Sequence, residues 1–459
     1  MNIVPSPFRK ANPRRSSRGV AALALAVSLL YVVTACSSGG GSSSSSAAAS
    51  DDACGTLVVG QLDVLAPQNE DLFADYQKTH PCVKLETQSV ALATILTQLL
   101  TQKLGNSLPD VVQTGGVWSN TLTTQGVQAD LTPYLNEKDL FPKSYWIQNF
   151  LTQYIPSVGT NKGKVFGLPI GADATVIYYN KDLFTKAGVP FPSADWTWSD
   201  MLADAKNLKA FQGDKQVQWG FANRPDWEAS WNPIIEAYGG CSFCETKSGF
   251  GSPEALKAFE LLLGPMQTGE FLPWAQYVAA GFSAQNAFTS QQAAMFIGTK
   301  SSAPRLIKAT EGQFSFDVQL MPYLDSPHKR PIGNGSVGWA MTTQAKNKTL
   351  ALNFLKYLYS ADGGQPIIQA TGGVVPAVES LLGSDQPWSK QAVPANQAAY
   401  VAAAQNSVGT PNAPGDAYNV MNNNMKTAIE SVLVNGDSYE DAFTKLAQLV
   451  DTAYAKAQE

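Results

Sequence analysis

Histidine is almost missing from this chain: His80 and His328 are the only two in 459 residues. Imidazole is the commonest general base and a standard zinc ligand, so little acid–base or zinc chemistry is open to the chain outside its carboxylates and thiols. The sequence holds no Gly-x-Ser-x-Gly nucleophile elbow, no paired-carboxylate motif and no spacing that gathers metal ligands. A glycosidase-like hydrolase would need two carboxylates facing one bond, and a secreted glycoside hydrolase is therefore the weaker alternative. No catalytic residue, metal or cofactor is expected. The one apolar run near the N-terminus is shorter than the roughly 20 residues a spanning helix needs, and no second stretch is long enough to cross a bilayer. Positive charge is also short, with 32 Lys and Arg against 37 Asp and Glu. Phosphate binding needs a basic footprint, which excludes nucleic acid as a partner.

What is present begins with the leader. Arg9, Lys10, Arg14, Arg15 and Arg18 precede an apolar run from Val20 to Val33, with no acid among them. A basic start, a short apolar core and small residues before a cut form the grammar of a secretory signal. The run ends Val33-Thr34-Ala35-Cys36, which resembles the lipobox of bacterial lipoproteins. That likeness implies a signal peptide over 1–35, diacylation of Cys36, and an exported chain anchored to the outer face of the cell membrane. An ordinary signal peptide with a Cys nearby is the alternative. Residues 37–53 are nearly all Ser, Gly and Ala. They cannot bury enough apolar surface to order themselves, so 36–55 reads as anchor and tether, with a span of about 20–25 Å. Loss of the five leader cations leaves 27 basic against 37 acidic residues, a formal charge of −10.

Of five cysteines, Cys36 is assigned to lipid, leaving two pairs in an oxidising compartment. Cys54 stands just before the strand-like Thr56–Gly60, and Cys82 just before the strand-like Val83–Thr87. If these strands are parallel neighbours their starts lie side by side, and a bridge is geometrically possible. Cys241 and Cys244 can close a small ring in a Gly-rich loop. Zinc or redox chemistry is the alternative there, although neither histidine is close in sequence.

Some 400 mature residues argue for two lobes rather than one core. From Thr56 the pattern alternates strand and helix (helices near 69–79 and 92–104), the signature of an α/β lobe around a mostly parallel sheet. Thr175–Tyr179 reads as a strand passing into a second lobe. Helices are predicted over Trp198–Leu208, Trp231–Tyr238, Pro253–Leu263 and Phe282–Phe288. A strand-like Val337–Thr342 precedes a helix over Leu350–Tyr359, and helices over Tyr418–Val434 and Ser438–Ala455 close the chain. Thr197, three residues before Asp200 in Trp196-Thr-Trp-Ser-Asp200, suits a helix N-cap with an acid in the first turn.

Several segments in order resemble the family 1 extracellular solute-binding proteins, the group that includes maltose-binding-type proteins. They are Gly163-Lys-Val-Phe-Gly-Leu-Pro169, Ile177-Tyr-Tyr-Asn-Lys-Asp-Leu-Phe-Thr-Lys-Ala-Gly188, Trp196–Asp200, Phe288–Met295 with Gly298, Asn353–Leu358 and Gly372–Pro376. The resemblance implies a two-lobed α/β fold of the periplasmic-binding-protein type II, with the ligand cleft between lobes. Lobe 1 would span 56–174, with about 340–385 returning to it. Lobe 2 would span 175–339, with about 386–459 returning to it. It further implies a monomer that hands a small solute to the permease subunits of an ABC importer.

Sixteen Tyr and ten Trp supply flat apolar faces of the kind sugars need. Three loops combine such faces with carboxylates and amides that could bond hydroxyls. Trp118 follows a predicted strand at its carboxyl end, where open α/β sheets bind ligands. Asp173 sits directly before the crossover strand, and by resemblance it matches a family acidic position, with Asp in place of Glu. Trp227, Glu228 and Trp231 lie together in the second lobe, although Trp231 could equally anchor a core and Glu228 could be a solvated helix cap. The resemblance also sets Thr299, Trp339 and Tyr418 at pocket edges, with core packing the alternative for Trp339. A carbohydrate is the expected ligand. A glycerophosphodiester or another organic solute on the same fold is the alternative, for which Arg224 and Arg305 are the candidate cations. Gly333-Asn-Gly-Ser-Val-Gly338 matches Gly-x-Gly-x-x-Gly, but a strand rather than a helix is predicted after it. It is read as a flexible or tight approach at the second crossing between lobes, not as a dinucleotide site.

Overall fold

Three parallel strands open the first sheet: β1 (Gly55–Leu62), β2 (Val83–Val90) and β3 (Val111–Gly115). Gly55 of β1 stands opposite Val83 of β2, and Val59 opposite Val111 of β3. The computed structural model describes residues 53–155, 161–335, 337–382, 386–409, 413 and 415–458. The leader, Cys36 and most of the tether lie outside these residues. Among the described residues no helix is long and apolar enough to cross a membrane.

The register of β1 on β2 explains the first disulfide. Cys54 and Cys82 each precede a paired strand start, Gly55 N donates to Cys82 O at 3.2 Å, and the two Cα atoms are 5.1 Å apart in the bridge. Cys241 and Cys244 form the second disulfide, with Cα atoms 5.4 Å apart. Between β1 and β2 runs the helix Ala66–Thr79, with Pro67 in its first turn, where a missing N–H costs nothing. Its buried Asn69, Leu72, Phe73 and Tyr76 recur at the spacing of one helical face and cover the sheet.

After β4 (Leu168–Pro169) the chain leaves the first sheet, and β5 (Gly171–Ala172) belongs to a separate two-stranded sheet. β6 (Thr175–Asn180) is instead part of a second sheet, with β7 (Ala210–Gln212), β8 (Lys215–Ala222), β9 (Ala293–Thr299) and β10 (Phe316–Leu320), in the order β10-β6-β9-β8-β7. Every residue of β6 and β9 is buried. Both strands read as continuous apolar runs without alternation because helices cover both faces of the sheet. The helix Trp198–Asn207 begins as its sequence predicts. Thr197 Oγ1 accepts from Asp200 N at 3.2 Å, and the Asp200 carboxylate accepts from Thr197 N at 2.8 Å.

The chain returns through β11 (Val337–Met341), antiparallel to both β3 and β4, which completes the first sheet in the order β2-β1-β3-β11-β4. The second crossing therefore lies just ahead of Val337. The expected boundary at 339 is corrected, because Val337, Gly338 and Trp339 are already paired in sheet one. The helices Lys348–Tyr359 and Gly364–Ala370 pack on this lobe, and β12 (Val375–Pro376) pairs with β5. The helix Gln397–Gln405 then packs on β10 and β6, and Ala417–Leu433 and Tyr439–Gln458 pack on the lobe-2 helix Pro253–Thr268.

Three segments lie side by side where the lobes join. Thr175 N donates to Gly333 O at 2.8 Å, and Val408 N donates to Ile332 O at 2.7 Å. Two of the three glycines of the Gly333–Gly338 run, Gly333 and Gly338, are explained by close approach. A Cβ on Gly333 would sit 2.2 Å from Ala229 O, and one on Gly338 would sit 2.3 Å from Leu168 O.

Candidate functional site

Asp173 occupies the link between β5 and β6, so the fold holds its carboxylate at the junction of the lobes. Its backbone is fixed by its own N–H donating to Asn334 Oδ1 at 3.0 Å. The carboxylate accepts from Ser301 N (2.9 Å), Ser301 Oγ (2.7 Å) and Thr299 Oγ1 (2.9 Å), groups at the end of β9. The side chain remains partly exposed to the cleft. Burial among low-dielectric surroundings raises its pKa above the usual aspartate value. The hydrogen bonds from Ser301 and Thr299 and the charge of Arg224 oppose that rise.

Two cavities meet at Asp173 and Ser301, which line both. The lobe-2 cavity, about 270 Å³, is also lined by Arg224, Trp227, Phe282, Thr299 and Arg305. Arg224 is stacked over the ring of Trp227, 4.0 Å from its centroid, so it covers one face of the indole. The charge of Arg224 acts on both Asp173 and Glu228. The second cavity, about 130 Å³, lies on the lobe-1 side beside the first turns of the helix Ala66–Thr79.

Behind Ser301, Lys300 is buried. Its ammonium stands over the rings of Tyr400 (4.6 Å) and Trp388 (5.3 Å) and donates to Gln397 Oε1 at 3.3 Å. Burial pushes its pKa down to about 8, with the charge of Asp173 acting the other way. Next to it, the hydroxyls of Tyr178 and Tyr400 are 2.7 Å apart, and Tyr178 donates to Thr299 O at 2.7 Å. These contacts make the support for Thr299 and Ser301 stiff.

The structure sorts the residues predicted to hold a ligand. Asp173, Thr299 and Trp227 come together on the lobe-2 cavity. Glu228 and Tyr418 are joined to each other, the tyrosine hydroxyl donating to the carboxylate, and neither lines either cavity. Trp118 packs against the small apolar cluster that includes Leu62, Val90 and Val112, outside both cavity linings. Trp231 and Trp339 are corrected: both have no exposed surface. Trp231 is wedged against Phe250 and Phe259 and Trp339 against Phe73 and Phe354, so neither is in reach of a solute.

Phe282 was missed as a cleft residue. Expected inside a helix over 282–288, it instead precedes a helix that starts at Ala284, and it has a left-handed φ of 55°. Ser283 caps that helix by accepting from Asn286 N at 3.2 Å, and the Gly281-Phe282-Ser283 run was the available signal. A bulky residue at positive φ is uncommon. Here the turn puts the ring in the lining of the cavity, with the Lys426 ammonium 3.7 Å from its centroid.

The chain belongs to the bacterial extracellular solute-binding protein family, whose model matches residues 65–365. A putative binding protein of Brucella abortus (strain 2308) is 28% identical over 315 residues, 67% of this chain and 72% of the relative. The sn-glycerol-3-phosphate-binding periplasmic protein UgpB of Shigella dysenteriae is 29% identical over 251 residues, 51% of this chain and 55% of that protein. An ABC substrate-binding protein of Listeria monocytogenes, solved in complex with cycloalternan, has the same fold. Its TM-score is 0.75 at 23% identity, covering 87% of this chain and 99% of that one. The chain therefore shares its two-lobed fold with that ABC substrate-binding protein.

The division between core and cleft tryptophans is testable by urea unfolding. Trp231→Ala should cost about 3–5 kcal/mol, the range for emptying a buried aromatic site. Trp227→Ala, on the cavity wall, should cost about 1 kcal/mol or less. An unchanged midpoint for Trp231→Ala would show that this side chain is not core.

Proposed function

We propose that this member of the solute-binding family is the substrate-binding lipoprotein of an ABC importer. It captures an extracellular mono- or oligosaccharide between its lobes and delivers it to the membrane permease. The observation that carries this reading is the Asp173 carboxylate, braced by three donors from β9 and its neighbour and open to the cleft where both cavities meet. An ionised carboxylate accepts hydrogen bonds and donates none, which suits a polyol. Beside it, Trp227 and Phe282 line the same cavity and supply aromatic surface for the C–H side of a sugar. A solute that touches both lobes favours the closed form by its differential affinity, a population shift rather than catalysis. That the family is one of binding proteins supports the absence of an enzymatic role.

A second reading has one observation in its favour. Arg224 and Arg305 line the same cavity, and the UgpB relative is named for a phosphorylated glycerol. A glycerophosphoryl anion would meet these cations, but it would also meet the carboxylate of Asp173, which lines the same cavity. Sugar fits the charge arrangement better.

Calorimetry against mono-, di- and trisaccharides and sn-glycerol 3-phosphate separates the two. Asp173→Ala should weaken sugar binding by about ten- to a hundredfold, the worth of hydrogen bonds to a charged group. The sign of the pH effect follows from the raised pKa of Asp173. Sugar hydroxyls bind the ionised form, so affinity should be flat at neutral pH and fall as pH drops through the raised value. That fall should begin at a higher pH than an ordinary aspartate would give. Binding of the phosphate ester with no sugar bound would reject the carbohydrate reading.

The lipid anchor rests on Val33-Thr-Ala-Cys36, outside the described residues. A Cys36→Ser chain should leave the membrane fraction for the medium, and unchanged membrane partitioning would reject the anchor.

A further inference from the structure

The lobe-1 cavity differs in kind from the lobe-2 cavity. Its walls are aliphatic: Leu65, Leu72, Ile170, Ile367, Ile368 and Val374, with no aromatic ring among the lining residues. Of its three amides the two buried ones, Asn69 and Gln113, are engaged, and the third, Gln68, is exposed to solvent. Asn69 Nδ2 donates to Gln61 Oε1 (3.1 Å) and to Gln113 Oε1 (3.3 Å), and Gln113 Oε1 also accepts from Leu62 N (3.2 Å). The Thr371 hydroxyl donates to Ile368 O at 2.7 Å, and Ser301 Oγ donates to Asp173. A bare polyol pushed into this space would give up bonds to water and gain few from these walls.

The space is also a definite size. About 130 Å³ is close to the roughly 150 Å³ of an apolar cavity able to hold benzene. Asp173 and Ser301 stand at its border with the lobe-2 cavity. Hydroxyl acceptors and flat faces thus lie toward one lobe, and a compact aliphatic seat toward the other.

We infer that the solute is an amphipathic glycoside: a sugar whose hydroxyls meet Asp173 and the lobe-2 cavity, carrying one compact alkyl or aryl group that seats in the lobe-1 cavity. This rests on the carbohydrate reading above and narrows it to a substrate class. The apolar group is sequestered between the helix Ala66–Thr79 and the segment 364–374, and lobe 1 reads it by shape rather than by hydrogen bonds.

The test is calorimetry on matched pairs: glucose and maltose against their isopropyl and phenyl glycosides, and sn-glycerol 3-phosphate against its phenyl diester. Each is run on the wild-type chain and on Leu65→Gln/Ile367→Gln, two partly exposed lining positions. The glycosides should bind about tenfold or more tightly than the parent sugars, with a more negative heat-capacity change. The double variant should lose that gain and keep the parent affinity. The heat-capacity difference in the wild type stands by itself if the variant does not fold. Parent sugars binding as well as or better than their glycosides would overturn the inference and leave the carbohydrate reading intact. A gain confined to the phosphate pair would overturn the sugar assignment and keep the apolar seat. Failure of every compound to bind would overturn both.

Discussion

The carboxylate of Asp173 carries the greatest constraint in this molecule. It is partly desolvated at the joint between two sheets, a position where an uncompensated charge would be costly. Ser301 N, Ser301 Oγ and Thr299 Oγ1 compensate it from lobe 2, while Asn334 holds its backbone from the second crossing. Three chain segments are thereby registered on one residue. The buried Lys300 between Thr299 and Ser301, and the Tyr178–Tyr400 hydroxyl pair behind them, are what keep those donors in place.

The same packing explains why the cleft is where it is. The segments that link the lobes are short and paired to one another by backbone bonds at Thr175, Gly333 and Val408. Close approach at Gly333 and Gly338 leaves no room for a side chain. A change of angle between the lobes is therefore concentrated at this seam, next to Asp173. A solute bonded to Asp173 lies almost on the seam and touches whatever the lobes bring to either side.

Local signals were the legible part of the sequence. The thiols ahead of two β-rich runs anticipated the Cys54–Cys82 bridge, since parallel pairing brings strand starts together. Thr197 and Asp200 carried their capping geometry in three residues of spacing. Asp173 stood out because it precedes a crossover strand. The tryptophans were not resolved in the same way. Trp231 and Trp227 are four residues apart on one segment, yet one is sealed under Phe250 and Phe259 and the other lines the cavity. Which face turns inward depends on partners far away in sequence. Phe282 depended on a backbone angle, and the aliphatic lobe-1 cavity gathers residues from 65 to 374 that no local pattern connects.

A direct measurement of the central interaction is the carboxyl carbon shift of Asp173, followed by NMR through a pH titration with and without a saturating sugar. In the free protein the midpoint should lie above the ordinary aspartate value, as burial dictates. Sugar hydroxyls donating to the ionised carboxylate favour that form, so the midpoint should fall when the sugar is bound. A midpoint that does not move, or that rises on binding, would contradict a carboxylate that reads the solute's hydroxyls.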